Sequence, residues 1–297
     1  MAEIKKVGIV GCGLMGHGIA QVAATAGFDV VVREVDDATL QKGIGKIEKQ
    51  LARAVEKGKS SQEDADAIRG RLQPTTDYGD LADCDLVVEA ITENLGMKLE
   101  MWKELDRIVK PEAIFATNTS SLAVIDQAAS TSRPAQFAGL HFFNPAQVMK
   151  LVEVVRGVTT SDETFQAVQS WAQSLPGKIA IPTKDKAGFI VNRLLVPYML
   201  DAMRAYEEGV GSISEIDAAM KAGAGHPMGP LTLADLVGND TTGAICEVLF
   251  DEFREKRFAK PPILRKMLSA GWYGRKTGMG FYDYSGDEPV ENPGLAR

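Results

Sequence analysis

Short apolar runs alternate with amphipathic stretches through the first part of the chain. Residues 7–10 are a β-branched run of strand type, and Ile19, Val22, Ala23 and Ala26 follow at helical spacing. Gly27 closes that helix, and residues 29–33 read as a second strand that ends at Glu34. Asp36 or Asp37 caps a long polar helix reaching to about Lys57, and a further helix is expected over 62–71. Residues 85–91 predict a buried strand, and 97–109 a helix with apolar positions Leu99, Trp102, Leu105 and Ile108. Residues 113–116 predict another strand. Runs over 137–140 and 150–155 flank the break at Asn144-Pro145, and a last strand falls at 178–181.

Strands alternating with helices predict an α/β domain over residues 1–184, a Rossmann-type doubly wound, mostly parallel sheet with ligand groups at the carboxyl ends of strands. The breaker-rich segment 182–188 marks its end. Beyond it the periodicity is helical, over 190–209, 214–221, 231–256 and 263–270, so residues 185–297 are expected to form an all-α C-terminal domain. Pro197 implies a kink or a broken turn in the first of these helices. The stripe Leu194, Leu195, Met199 and Met203 reads as helix-packing core.

Composition narrows the picture. The 297 residues are 45% hydrophobic and 25% charged, the balance of a soluble globular chain with one or two cores. A formal net charge of −7 argues against a general binder of nucleic acid or membrane surfaces, leaving only a local basic patch at Lys46, Lys49, Arg53, Lys57 and Lys59. Three cysteines, odd in number and without metal-ligand spacing, point to a reducing compartment and to no metal site. No long apolar leader or membrane-length run is found, so a cytoplasmic location is expected.

Candidate chemistry lies at three places. Gly11-Cys-Gly13-Leu14-Met15-Gly16 stands between the first strand and its helix, the context a dinucleotide loop requires. Gly11 allows the turn, Gly13 the approach of a pyrophosphate, and Gly16 close packing of helix on strand. Glu34, 18 residues past Gly16, is placed to meet the adenine ribose hydroxyls. Its carboxylate repels a 2′-phosphate and favours NAD, although Arg33 next to it could offset that repulsion and leaves NADP open. Third, His141 and Glu153 occupy consecutive strands; side by side, the carboxylate would accept the Nδ1 proton, fix the tautomer and direct proton exchange to Nε2. Taken singly, each also has a bland reading: His141 as a strand-end residue, Glu153 as an outward strand residue, Ser120 as the N-cap of a short helix from Ser121. Against this, Glu93, Ser120 and His141 all fall just beyond expected strand ends, on one edge of one sheet.

Six motifs in order make the chain recognisable: Gly11 to Gly16, Val88-Glu-Ala-Ile-Thr-Glu-Asn94, Asn118-Thr-Ser-Ser-Leu122, His141-Phe-Phe-Asn-Pro145, Gly188-Phe-Ile-Val-Asn-Arg-Leu-Leu195, and Gly223-Ala-Gly-His-Pro-Met-Gly-Pro230. Over residues 7–284 the chain resembles the short-chain 3-hydroxyacyl-CoA dehydrogenases, in particular the 3-hydroxybutyryl-CoA branch. The resemblance implies NAD-dependent oxidation of (S)-3-hydroxyacyl-CoA to 3-oxoacyl-CoA and its reversal, as in fatty acid metabolism. It assigns the general base to His141, its carboxylate partner to Glu153, and the holding of the reacting oxygen and acyl thioester to Ser120 and Asn192. Glu93, Lys98 and Asn144 match residues on the nicotinamide side, and Glu34 replaces the family's usual aspartate on the ribose. Lys49 and Arg53 are candidates for the CoA phosphates. The helical region matches a dimerisation domain, implying a homodimer with substrate between the domains. Two other readings compete: a dehydrogenase of a free hydroxy or sugar acid on the same fold, and a nucleotide-binding protein without catalysis.

Overall fold

The computed structural model describes residues 3–295. Two compact units divide between Lys186 and Ala187. In the first, the chain runs β1 (Lys6–Val10), α1 (Gly16–Thr25), β2 (Asp29–Arg33), α2 (Asp37–Glu56), α3 (Gln62–Gly70), β3 (Leu72–Thr75), β4 (Leu86–Glu89), α4 (Leu95–Ile108), β5 (Ile114–Thr117), α5 (Val124–Ala128), β6 (Phe137–Phe142), β7 (Leu151–Arg156), α6 (Asp162–Ser174) and β8 (Ile179–Lys184). The eight strands form one sheet in the order β3-β2-β1-β4-β5-β6-β7-β8. Only the β6–β7 pair is antiparallel. Chain order reverses direction at β1, whose neighbours are β2 and β4, so a crevice opens at the carboxyl ends of β1 and β4.

The central strands bury both faces, which is why they read as continuous apolar runs: Val7, Ile9, Val30, Val32, Leu86 and Val88 are at most 1% exposed. On one face Trp102 of α4 packs at 4.8 Å from Phe137 and 5.0 Å from Phe115, seating that helix over β5 and β6. Asp36 proves to be the cap of α2, its carboxylate accepting from the Thr39 amide at 2.7 Å.

The sequence expectations need several corrections. The strand expected over 85–91 is the shorter β4. The edge strand β3 was missed, because it is polar, half-exposed and interrupted by Pro74, which an edge tolerates. No helix starts at Ser121; α5 begins at Val124 with Ala123 before it, so Ser120 is not its cap. His141 lies within β6 instead of beyond its end, since the strand continues to Phe142.

The second unit holds α7 (Val191–Glu207), α8 (Ile213–Ala224), α9 (Pro230–Val237), α10 (Asn239–Phe253) and α11 (Pro262–Ser269), followed by a hairpin of two-residue strands, β9 (Tyr282–Asp283) and β10 (Val290–Glu291). Its core is built on Met199, Leu200, Met203, Leu231, Leu249 and Leu264. The helix expected over 231–256 is broken at Gly238, whose φ of +100° no helix accommodates. Pro197, by contrast, lies inside an uninterrupted α7. The hairpin is tied to buried Asp235, which accepts from the Phe281 and Tyr282 amides at 2.9 Å each. Among the described residues no helix is long and apolar enough to cross a membrane.

Candidate functional site

The glycine loop joins β1 to α1. A side chain at Gly11 (φ +97°) would put its Cβ 2.6 Å from the Ala90 carbonyl oxygen, and one at Gly16 would meet the Gly11 carbonyl at 1.6 Å, so neither position admits anything larger. Gly13 faces open space. The first turn of α1 has no side-chain cap and no acidic residue, so the positive end of the helix is open to an anion. A pyrophosphate therefore fits this loop. Leu14 is exposed and Met15 packs partly on the core. Glu34 follows β2 and is pinned to the same loop: its Oε2 accepts from the Cys12 amide and its Oε1 from the Val35 amide, both at 2.7 Å. Each carboxylate oxygen keeps a second acceptor position, as ribose hydroxyls require.

At the ends of β4 and β5 lies a group that sequence reading found only in part. Lys98, with 1% of its side chain exposed, reaches from α4 to two carboxylates, Glu89 at 3.0 Å and Glu93 at 2.8 Å. Glu89 also accepts from the Thr117 hydroxyl at 2.6 Å and the Ile91 amide at 2.8 Å. Glu93 accepts from the Ser120 amide at 2.9 Å and the Thr119 hydroxyl, so the ion pairs run directly into the Ser120 turn. Glu89 was not singled out from the sequence, although an acid inside the run Leu-Val-Val-Glu-Ala is itself a signal.

The two acids are pushed apart. Burial raises the Glu89 carboxyl above the ordinary glutamate range, and Lys98 and the Thr117 hydroxyl only partly counter it. At Glu93 burial acts in the same direction but is outweighed by the charge of Lys98 and by its hydrogen-bond donors, leaving it below that range. A carboxyl raised on folding favours the native state at low pH and loses that contribution as pH rises through its folded value. Glu89→Gln is accordingly expected to gain stability relative to the parent protein as pH is raised from about 4, near the unfolded glutamate value. Thermal melts of both proteins from pH 4 to pH 8 measure this; a difference that stays flat or falls with pH would contradict it.

His141 and Glu153 are direct partners in the antiparallel β6–β7 register. Imidazole Nδ1 lies 2.7 Å from Glu153 Oε2, with His141 6% exposed and Glu153 fully buried. The Phe143 ring sits at 4.5 Å from the imidazole. The end of β6 is tied to β5 through Asn118, whose side-chain oxygen accepts from the Phe142 amide at 2.9 Å. Asn144 is exposed, and the turn after it is held by Lys178, which donates to the carbonyls of Ala146 and Met149.

The first unit thus gathers the glycine loop, Glu34, Glu93, Lys98, Ser120 and His141 along the carboxyl ends of neighbouring strands β2, β1, β4, β5 and β6. Lys49 and Arg53 stand apart from these, exposed one turn from each other on α2, and neither is in an ion pair among the described residues. Asn192 is in the second unit, half-buried in the first turn of α7. The other two histidines have local roles: His17 Nδ1 meets the Gly13 carbonyl at 2.6 Å, and His226 the Tyr198 hydroxyl at 2.9 Å. All three cysteines are buried free thiols, pushed up to about 12 by burial, and so are not nucleophiles.

Comparison with known proteins extends these observations. Residues 6–186 match the family model described as "3-hydroxyacyl-CoA dehydrogenase, NAD binding domain", and residues 188–284 match "3-hydroxyacyl-CoA dehydrogenase, C-terminal domain". The chain is 50% identical over 279 residues to a probable 3-hydroxybutyryl-CoA dehydrogenase of Deinococcus radiodurans, covering 94% of this chain and 100% of that one. It is 46% identical over 289 residues to the 3-hydroxybutyryl-CoA dehydrogenase of Bradyrhizobium diazoefficiens, covering 97% and 98%. Its structure is similar to the crystal structure of (S)-3-hydroxybutyryl-CoA dehydrogenase from Ralstonia eutropha, with a TM-score of 0.92, 45% identity, and coverage of 96% and 100%.

Proposed function

The chain belongs to the 3-hydroxyacyl-CoA dehydrogenase family, and from that premise we propose that it oxidises short-chain (S)-3-hydroxyacyl-CoA, 3-hydroxybutyryl-CoA foremost, to the 3-oxoacyl-CoA and catalyses the reverse reduction. The observation that carries the reading is the buried His141–Glu153 pair at 2.7 Å. With Nδ1–H directed at the carboxylate, the proton of the 3-hydroxyl passes to Nε2, and Glu153 balances the charge of the imidazolium that forms. NAD supplies the acceptor for the hydride that leaves C3. In reduction the imidazolium returns its proton to the 3-oxo oxygen.

The remaining residues are assigned by the same reading. The loop Gly11 to Gly16 takes the pyrophosphate, Glu34 the adenine ribose, and Glu93, Lys98 and Asn144 the nicotinamide side. Ser120 and Asn192 hold the reacting oxygen and the acyl thioester, and the exposed pair Lys49 and Arg53 meets the CoA phosphates. Residues 1–184 act as the cofactor domain and 185–297 as the substrate and dimerisation domain of a homodimer. A cytoplasmic location accords with three reduced, buried thiols.

The test is the loss of NADH absorbance with acetoacetyl-CoA, beside NADPH and beside free acetoacetate. Turnover is expected to require the CoA ester and to run faster with NADH. Folded protein that turns over the ester with neither cofactor would overturn the proposal, and turnover of free acetoacetate alone would reassign the substrate.

A further inference from the structure

Arg33 and Glu34 are neighbours of opposite charge, and among the described residues their side chains take other partners. Consecutive side chains at a strand end leave on opposite faces, and here each is held on its own side. Glu34 is bound to the Cys12 and Val35 amides on the side of the glycine loop. Arg33 turns toward the segment after β3. Its guanidinium carbon lies 3.6 Å from the centre of the Tyr78 ring, one terminal nitrogen donates to the Tyr78 hydroxyl at 2.9 Å, and Nε donates to the Thr76 carbonyl at 3.3 Å. Among the described residues Arg33 has no carboxylate partner, so a tyrosine face and two neutral acceptors hold the whole charge. Such stacking is available to arginine because its guanidinium is planar and weakly hydrated.

An unclaimed guanidinium beside the adenine ribose is the ordinary means of accepting a 2′-phosphate. We propose that Tyr78 is a cofactor-specificity residue: by holding Arg33 against its ring it withholds that cation from the ribose 2′-position, so that the Glu34 carboxylate acts there alone and a 2′-hydroxyl is preferred. The inference rests on the cofactor reading given above and deepens it. Tyr78 acts through Arg33, and its role is that of a positioning residue.

The experiment measures binding of 2′,5′-ADP and of ADP by titration calorimetry, so that neither nicotinamide chemistry nor acyl-CoA turnover enters the readout. In Tyr78→Ala the affinity for 2′,5′-ADP relative to ADP is expected to rise about tenfold, the scale of one added arginine–phosphate contact. Arg33→Ala alone should leave the ratio unchanged, and adding Arg33→Ala to Tyr78→Ala should abolish the gain. Tyr78→Phe, which keeps the ring and loses the hydroxyl, should fall between. A several-fold loss of 2′,5′-ADP preference in Arg33→Ala would overturn the proposal, because it would mean that Arg33 already serves the phosphate; this arm decides even if Tyr78→Ala does not fold. An unchanged ratio in folded Tyr78→Ala would overturn it as well. Failure of ADP to bind the parent protein would instead remove the cofactor reading beneath it.

Discussion

In His141→Ala, reduction of acetoacetyl-CoA by NADH is expected to slow by about 10²–10⁴-fold in kcat, the usual contribution of a positioned acid–base group. NADH affinity should stay near that of the parent protein, since the glycine loop, Glu34 and the Lys98 group belong to β1, β2, β4 and α4 and the segments that follow those strands, not to β6. The substitution also removes the imidazole facing a fully buried carboxylate, so some stability is lost, and binding should be measured on protein shown to be folded. Glu153→Gln separates charge from packing. The amide fills the same space, but it can donate to Nδ1, which places the ring proton on Nε2, where the substrate proton must go. Its kcat is therefore expected to fall too, with less loss of stability than in His141→Ala. Near-parental turnover in His141→Ala would end the assignment of the base.

The second large effect is expected at Lys98. Lys98→Met keeps the length of the side chain and removes the ammonium, leaving Glu89 and Glu93 facing each other with one of them buried. Breaking a buried pair on one side costs about 3–5 kcal/mol, and denaturant unfolding at pH 8 should show a loss of that order. The loss should shrink toward pH 5, because Glu89, already raised by burial, takes up a proton instead of remaining an uncompensated charge. Adding Glu89→Gln should recover much of the stability at pH 8. Glu93 also orders the Ser120 turn through the Ser120 amide, so NADH binding should weaken in Lys98→Met even where the fold survives. A loss below about 1 kcal/mol at pH 8, in the range of surface pairs, would show that the ammonium is not held as a buried ion pair.

Local pattern was enough for much of this protein. The alternation of β-branched runs with helical periodicity specified the doubly wound sheet, because strands buried on both faces and helices buried on one have different apolar periods. The glycine spacing specified the loop at β1, because its positive φ and close backbone approaches admit no side chain. An imidazole and a carboxylate on consecutive strands made His141 and Glu153 candidates. Whether they meet was a matter of register: a slip of one residue between β6 and β7 would turn the carboxylate to the other face. The polar edge strand β3 and the break at Gly238 escaped notice, since neither has a periodic signature of its own. Only the tertiary structure brought Lys98 to Glu89 and Glu93, the Ser120 amide to Glu93, and Tyr78 to Arg33, 45 residues away in the chain. Sequence determines which residues can lie in a strand, a turn or a core by their own shape and polarity; which buried charge finds which partner is decided by contacts between distant segments that no local pattern encodes.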